Sequence, residues 1–73
     1  MEVVKLEKEF KLTKNVIYYA RIKKNISQQE LAEMLGTTAA TISRYENGIH
    51  KPQGKTAIKL SKILEIPLEE IIV

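Results

Sequence analysis

The chain has no cysteine, no tryptophan and no aspartate, and only one histidine, two prolines, three glycines and one phenylalanine in its 73 residues. Without cysteine, disulfide frameworks, thiolate catalysis and Cys-type zinc sites are excluded together. One histidine and no aspartate cannot build a Ser-His-Asp triad, and a multi-histidine metal site would need several copies of the chain. All nine acids are glutamate. No apolar run approaches the ~18–20 residues that span a bilayer. Glu2, Lys5, Glu7, Lys8 and Glu9 interrupt any signal-peptide pattern at the start. What remains is the expectation of a soluble cytoplasmic protein with no cofactor, no metal, no membrane partner and no small-molecule ligand.

What is present points to one small domain. The apolar fraction is 44%, ordinary for a folded domain. A chain of this length buries perhaps ~60% of its unfolded surface, so its core is thin. The net charge of +3 is small, but the bases cluster. Lys14, Arg21, Lys23 and Lys24 form one block without acids, and Lys51, Lys55, Lys59 and Lys62 form another. Local density of this kind suits phosphate contacts, although a solvated surface explains it equally well.

Residues 1–12 form an N-terminal extension to a domain over 13–73. In the extension, Val4, Leu6, Phe10 and Leu12 alternate with polar residues, which predicts a short strand, with a disordered tail as the alternative. Thr13 is placed to cap a helix starting at Lys14, with Ile17, Ala20, Arg21 and Lys24 on one face. Ser27-Gln28-Gln29-Glu30 is a capping box opening a second helix with Leu31, Ala32 and Leu35 inward. Gly36 ends it in a left-handed turn. Thr37 and Thr38 restart capping for a helix over Ala39 to Glu46, with Ile42 and Tyr45 inward and Asn47-Gly48 as its stop. A fourth helix runs from about Gly54 to Leu64, and Pro67 suits the start of a short fifth. The fold class is therefore all-α: five helices with a short N-terminal β-strand as an optional addition. Two short helices joined by a tight glycine turn make a helix-turn-helix. Ala32 at the crossing, Gly36 in the turn and Ile42 beyond it form a specific set.

From Ile17 to Ile72 the sequence resembles the Cro/repressor (XRE-type) helix-turn-helix family. The matching stretches include Ile26-Ser27-Gln28-Gln29-Glu30-Leu31-Ala32, Leu35-Gly36, Thr41-Ile42-Ser43-Arg44-Tyr45-Glu46-Asn47-Gly48, Lys51-Pro52 and Leu64-Glu65-Ile66-Pro67-Leu68-Glu69-Glu70-Ile71. Departures are Gly54 for an apolar residue, Ser61 for alanine, and Glu65 where the family often has glycine. The resemblance implies a lambda-repressor-like domain and a sequence-specific DNA-binding transcriptional regulator, a repressor that occupies a palindromic double-stranded operator as a homodimer. Ala39–Glu46 would lie in the major groove. Thr37, Thr38, Ala39, Ala40, Ser43 and Arg44 would then face the DNA. Arg44 is the strongest base reader, because its fork fits guanine O6 and N7. Gln28 would bind phosphate or support the recognition helix, and Lys51 would meet the backbone. The resemblance also implies an ion pair between Arg21, which shares the apolar face of its helix, and Glu46. Tyr45 is expected in the core, and Tyr18 and Tyr19 on the surface or at a dimer contact. His50 is expected in a loop rather than as a catalyst or ligand. An antitoxin-like or protein-interaction module on the same scaffold is the alternative. An enzyme is not expected.

Overall fold

Capping chemistry sets where each helix begins and ends. In the computed structural model, which describes residues 14–72, the helices are α1 (Val16–Lys23), α2 (Gln28–Leu35), α3 (Ala39–Glu46), α4 (Gly54–Leu64) and α5 (Leu68–Ile72). The described residues are thus all-helical, as the patterning predicts. The strand expected over 2–12 lies outside them. At α2 the Ser27 hydroxyl accepts from the Glu30 N–H at 3.0 Å, and the Glu30 carboxylate accepts from the Ser27 N–H at 2.8 Å. This reciprocal box satisfies two donors that the first turn leaves open. The helix stops at Gly36, whose φ of 75° is left-handed, where a side chain would be strained. Thr38 then caps α3 by accepting from the Thr41 N–H at 3.2 Å.

The first helix corrects one expectation. Its cap is Asn15 and not Thr13, and it starts at Val16 rather than Lys14. Asparagine caps a helix at least as well as threonine, and this one has a second partner in α3. Thr13 itself lies outside the described residues.

The core collects one to three residues from each helix: Ile17, Leu31, Ala32, Ile42, Ala57, Leu60, Leu64 and Ile71. Leu31, Ala32, Ile42 and Leu60 are completely buried. Ala32, having only a methyl group, lets α2 and α3 approach closely. α2 packs on α3 and α4, α1 reaches α3, α4 and α5, and α5 lies along α4. Tyr45 is half-buried against this cluster, while Tyr19 is largely exposed. Tyr18 and Tyr19 meet edge to face at 5.0 Å between ring centroids. None of the helices among the described residues is long and apolar enough to cross a membrane.

Candidate nucleic-acid interface

The period of α3 divides its residues between core and solvent. Ile42 and Glu46, one turn apart, point inward and are fully buried. Ala40 and Arg44, also one turn apart, are exposed, and Thr38 is exposed at the cap. Ala39, Thr41 and Ser43 flank this face and are half-buried. The outer face is therefore short, low and studded with one cation. No ion pair engages the Arg44 guanidinium among the described residues.

Glu46 is the anchor of this helix. Arg21 Nε donates to its Oε2 at 2.5 Å, and Arg21 Nη2 approaches Oε1 at 3.4 Å. Arg21 is itself buried, and its Nη1 donates to the Ile26 carbonyl at 2.8 Å. Gln28 Nε2 completes the set by donating to Glu46 Oε1 at 2.9 Å. One carboxylate at the end of α3 thus joins α1, α2 and the loop between them. No buried side-chain nitrogen or oxygen among the described residues lacks a partner. This matters because a buried ion pair is tolerable only when its remaining hydrogen-bonding capacity is filled.

The residues expected at the interface are thus placed unequally. Ala40, Arg44 and Lys51 are exposed with their side chains free for a ligand. Thr38 is committed to capping, with its Oγ1 also 3.1 Å from Thr41 Oγ1. Ser43 Oγ accepts from Asn47 Nδ2 at 3.3 Å. Thr37 is half-buried and its N–H closes α2 on the Ala32 carbonyl at 2.9 Å. Gln28 is half-buried and tied to Glu46, so in this structure its side chain supports the helix.

Sequence reasoning missed the side-chain contacts of three residues around the end of α3, of which Asn47 was read only as the helix stop. Asn15 Nδ2 donates to the Tyr45 carbonyl at 2.6 Å. Lys14 Nζ donates to Asn47 Oδ1 at 3.0 Å. Asn47 Nδ2 in turn donates to the Ser43 carbonyl at 2.9 Å. The first two pairs lie 30 and 33 residues apart in sequence, where only the packing of α1 against α3 brings them together, whereas the Asn47–Ser43 bond is local. The one local signal was that asparagine precedes an apolar helix start.

A cleft of about 480 Å³ among the described residues lies elsewhere, at the ends of α1 and α4, lined by Ala20, Lys24, Leu64 and Glu65 among others. The outer face of α3 has no share in it.

The sequence is similar to those of known proteins. A family model described as helix-turn-helix matches residues 17–71. An uncharacterised helix-turn-helix-type transcriptional regulator of Methanocaldococcus jannaschii is 35% identical over 60 residues, covering 82% of this chain and 91% of the relative. Another such regulator, from Bacillus subtilis, is 36% identical over 52 residues, 71% of this chain and 45% of its own length. The transcriptional repressor of the cryptic phage CTXphi from Vibrio cholerae is 31% identical over 52 residues, 71% of this chain and 47% of its own. The chain therefore spans nearly all of the archaeal relative but less than half of the other two. No solved structure matches.

Proposed function

The chain belongs to the helix-turn-helix family of DNA-binding transcriptional regulators, and from that premise we propose that it is a cytoplasmic repressor, a binding protein rather than an enzyme, which occupies a palindromic operator as a homodimer. The observation that carries the reading is the outer face of α3. Its small side chains let the helix sink into a groove, and Arg44 stands free on it. A B-form major groove admits one α-helix, and an arginine fork there pairs with guanine O6 and N7. Ala39 and Ala40 offer methyl contacts, and Ser43 a hydroxyl. Lys51, beyond the helix stop, meets the phosphate backbone. Thr37, Thr38 and Gln28 sit at helix starts, where N–H groups and the positive helix end favour a phosphate.

A helix of eight residues reads only a few base pairs. Two copies on half-sites about one helical turn, ~34 Å, apart extend the site. The alternating segment 2–12, pairing with its copy as an antiparallel ribbon, and the apolar C-terminus Ile71-Ile72-Val73, where Ile72 is exposed although Ile71 is buried, are the two candidate dimer contacts.

Selection of bound duplexes from a random pool, followed by salt titrations, tests the reading. The selected site should be two-fold symmetric. Arg44→Ala should lose about 1–3 kcal/mol on that site and little on random DNA, the signature of a base contact. Lys51→Ala should weaken both alike and lower the salt slope by roughly one unit. Equal losses for Arg44→Ala on both duplexes would make Arg44 a phosphate anchor. A pool that returns no preferred sequence would remove the repressor reading.

A further inference from the structure

The last carbonyls of an α-helix have no partner within it. At the end of α3 those of Tyr45 and Glu46 are both met by Asn15. Its backbone N–H donates to the Glu46 carbonyl at 3.2 Å. Its Nδ2 donates to the Tyr45 carbonyl at 2.6 Å, which also accepts from the Gly48 N–H at 3.2 Å. Meanwhile Asn15 Oδ1 accepts from the Ile17 N–H at 3.1 Å and caps α1. One half-buried amide therefore closes the start of one helix and the end of another. Only a side chain with both a donor and an acceptor can do this. Aspartate would cap α1 but set a carboxylate oxygen against the Tyr45 carbonyl. Serine would cap α1 but fall short of α3.

The position of this joint gives it a consequence for recognition. Glu46 holds α3 through a side chain on its buried face, whereas Asn15 holds the backbone of its last turn. Ser43 and Arg44 are carried by that same turn. Recognition constellations need their groups held to about 0.5 Å and 10–20°, and an arginine fork loses its pairing when the helix rolls. We propose that Asn15 is a positioning residue for DNA recognition, fixing the angle at which α3 presents Ser43 and Arg44 to the groove. This rests on α3 being the reading helix.

The test uses the full chain with Asn15→Asp and Asn15→Ser. Both substitutes cap helices well, so both variants keep α1 closed. Serine, whose hydroxyl falls short of the Tyr45 carbonyl, removes the bond to α3 without adding charge near the DNA. Affinities for the selected operator and for a random duplex of equal length are measured below each variant's melting midpoint, with the midpoint recorded by circular dichroism. For Asn15→Ser, operator affinity should fall about tenfold, the scale of one misplaced base contact, while affinity for random DNA stays within about twofold. Asn15→Asp should show the same loss of discrimination, with a further decrease common to both duplexes from its charge. A changed melting midpoint with unchanged discrimination would make Asn15 a stability residue and overturn the inference. So would equal losses on both duplexes for Asn15→Ser. A wild type without any preferred site would remove the reading helix and this inference with it, an outcome distinct from a wild type that discriminates and a variant that does so equally well.

Discussion

Glu46 and Glu65 both close a helix, the first as the last residue of α3 and the second as the cap residue after α4. Each places a carboxylate at the end of a helix where the dipole disfavours it. Their surroundings differ in every other respect. Glu46 is fully buried and receives hydrogen bonds from Arg21 and Gln28. Glu65 has a side chain 75% exposed and a backbone in the left-handed region, with φ at 58°. Its ion pair is with Lys24 at 3.3 Å. A charge at a helix end is thus worth keeping where other elements converge on it, and little more than tolerated where none does. The convergence occurs at α3, the helix that reads DNA in the proposed function.

The largest effect should follow from breaking the buried member. Glu46→Ala leaves Arg21, only 7% exposed, without its counter-charge. Removing one partner of a buried pair costs roughly 3–5 kcal/mol. For a domain of this size each kcal/mol moves Tm by about 4–8 °C, so a thermal melt should fall by about 20 °C. Replacing both partners, Arg21→Met with Glu46→Leu, should recover much of the loss, because apolar pairs of similar volume often match a buried ion pair. A Glu46→Ala melt that moves by less than about 4 °C would mean that the buried charge is solvated by other means.

How far the two glutamates were legible in the sequence follows from the range of the contacts that hold them. Signals that act within four residues could be read directly. The Ser27–Glu30 box, the Gly36 turn and the bounds of α3 and α4 are of this kind. The Arg21–Glu46 pair spans 25 residues. It was accessible only through resemblance to a family, together with the placement of an arginine on an apolar face. For Gln28 the resemblance implied support of the recognition helix as one of two roles but not its partner Glu46, and Asn15 on Tyr45 escaped, because each contact depends on the crossing angle of two helices, which no local pattern encodes. The start of α1 was misplaced by local rules that allow Thr13 and Asn15 alike as caps, and the bond from Asn15 to α3 is a contact those rules do not see. Glu65 was legible as a departure from glycine, though not as a residue at positive φ.

Relieving the exposed member should have a smaller effect of opposite sign. An L-residue in the left-handed region costs about 1–2 kcal/mol, part of which glycine returns through its freer unfolded chain. Glu65→Gly also removes an acid from the negative end of α4. It loses the exposed pair with Lys24, worth about 0–1 kcal/mol. The net expectation is a gain of about 1 kcal/mol, read as a rise in Tm of roughly 4–8 °C. A fall in Tm would show that the Lys24 pair outweighs the backbone strain.

The smallest effect belongs to Lys24 itself. Its Nζ reaches Glu65 Oε1 at 3.3 Å, but the two side chains are 30% and 75% exposed. Water and salt therefore screen most of the attraction, and exposed pairs of this kind contribute little. The backbone of Lys24 does separate work, donating to the Ala20 and Arg21 carbonyls at 3.2 Å each to close α1. No side-chain change removes that. Lys24→Met keeps the aliphatic stem that covers part of the cleft beside Leu64 and deletes only the charge. It should change stability by less than about 0.5 kcal/mol. Combining it with Glu65→Gly should give an additive result, since a coupling larger than about 0.5 kcal/mol marks a real interaction. The same melts in 1 M salt, where the Debye length is about 3 Å, should erase whatever difference remains. A loss above about 1 kcal/mol for Lys24→Met, shrinking with salt, would mean that the pair compensates Glu65 for its strained backbone, and the contrast with Glu46 would become one of degree.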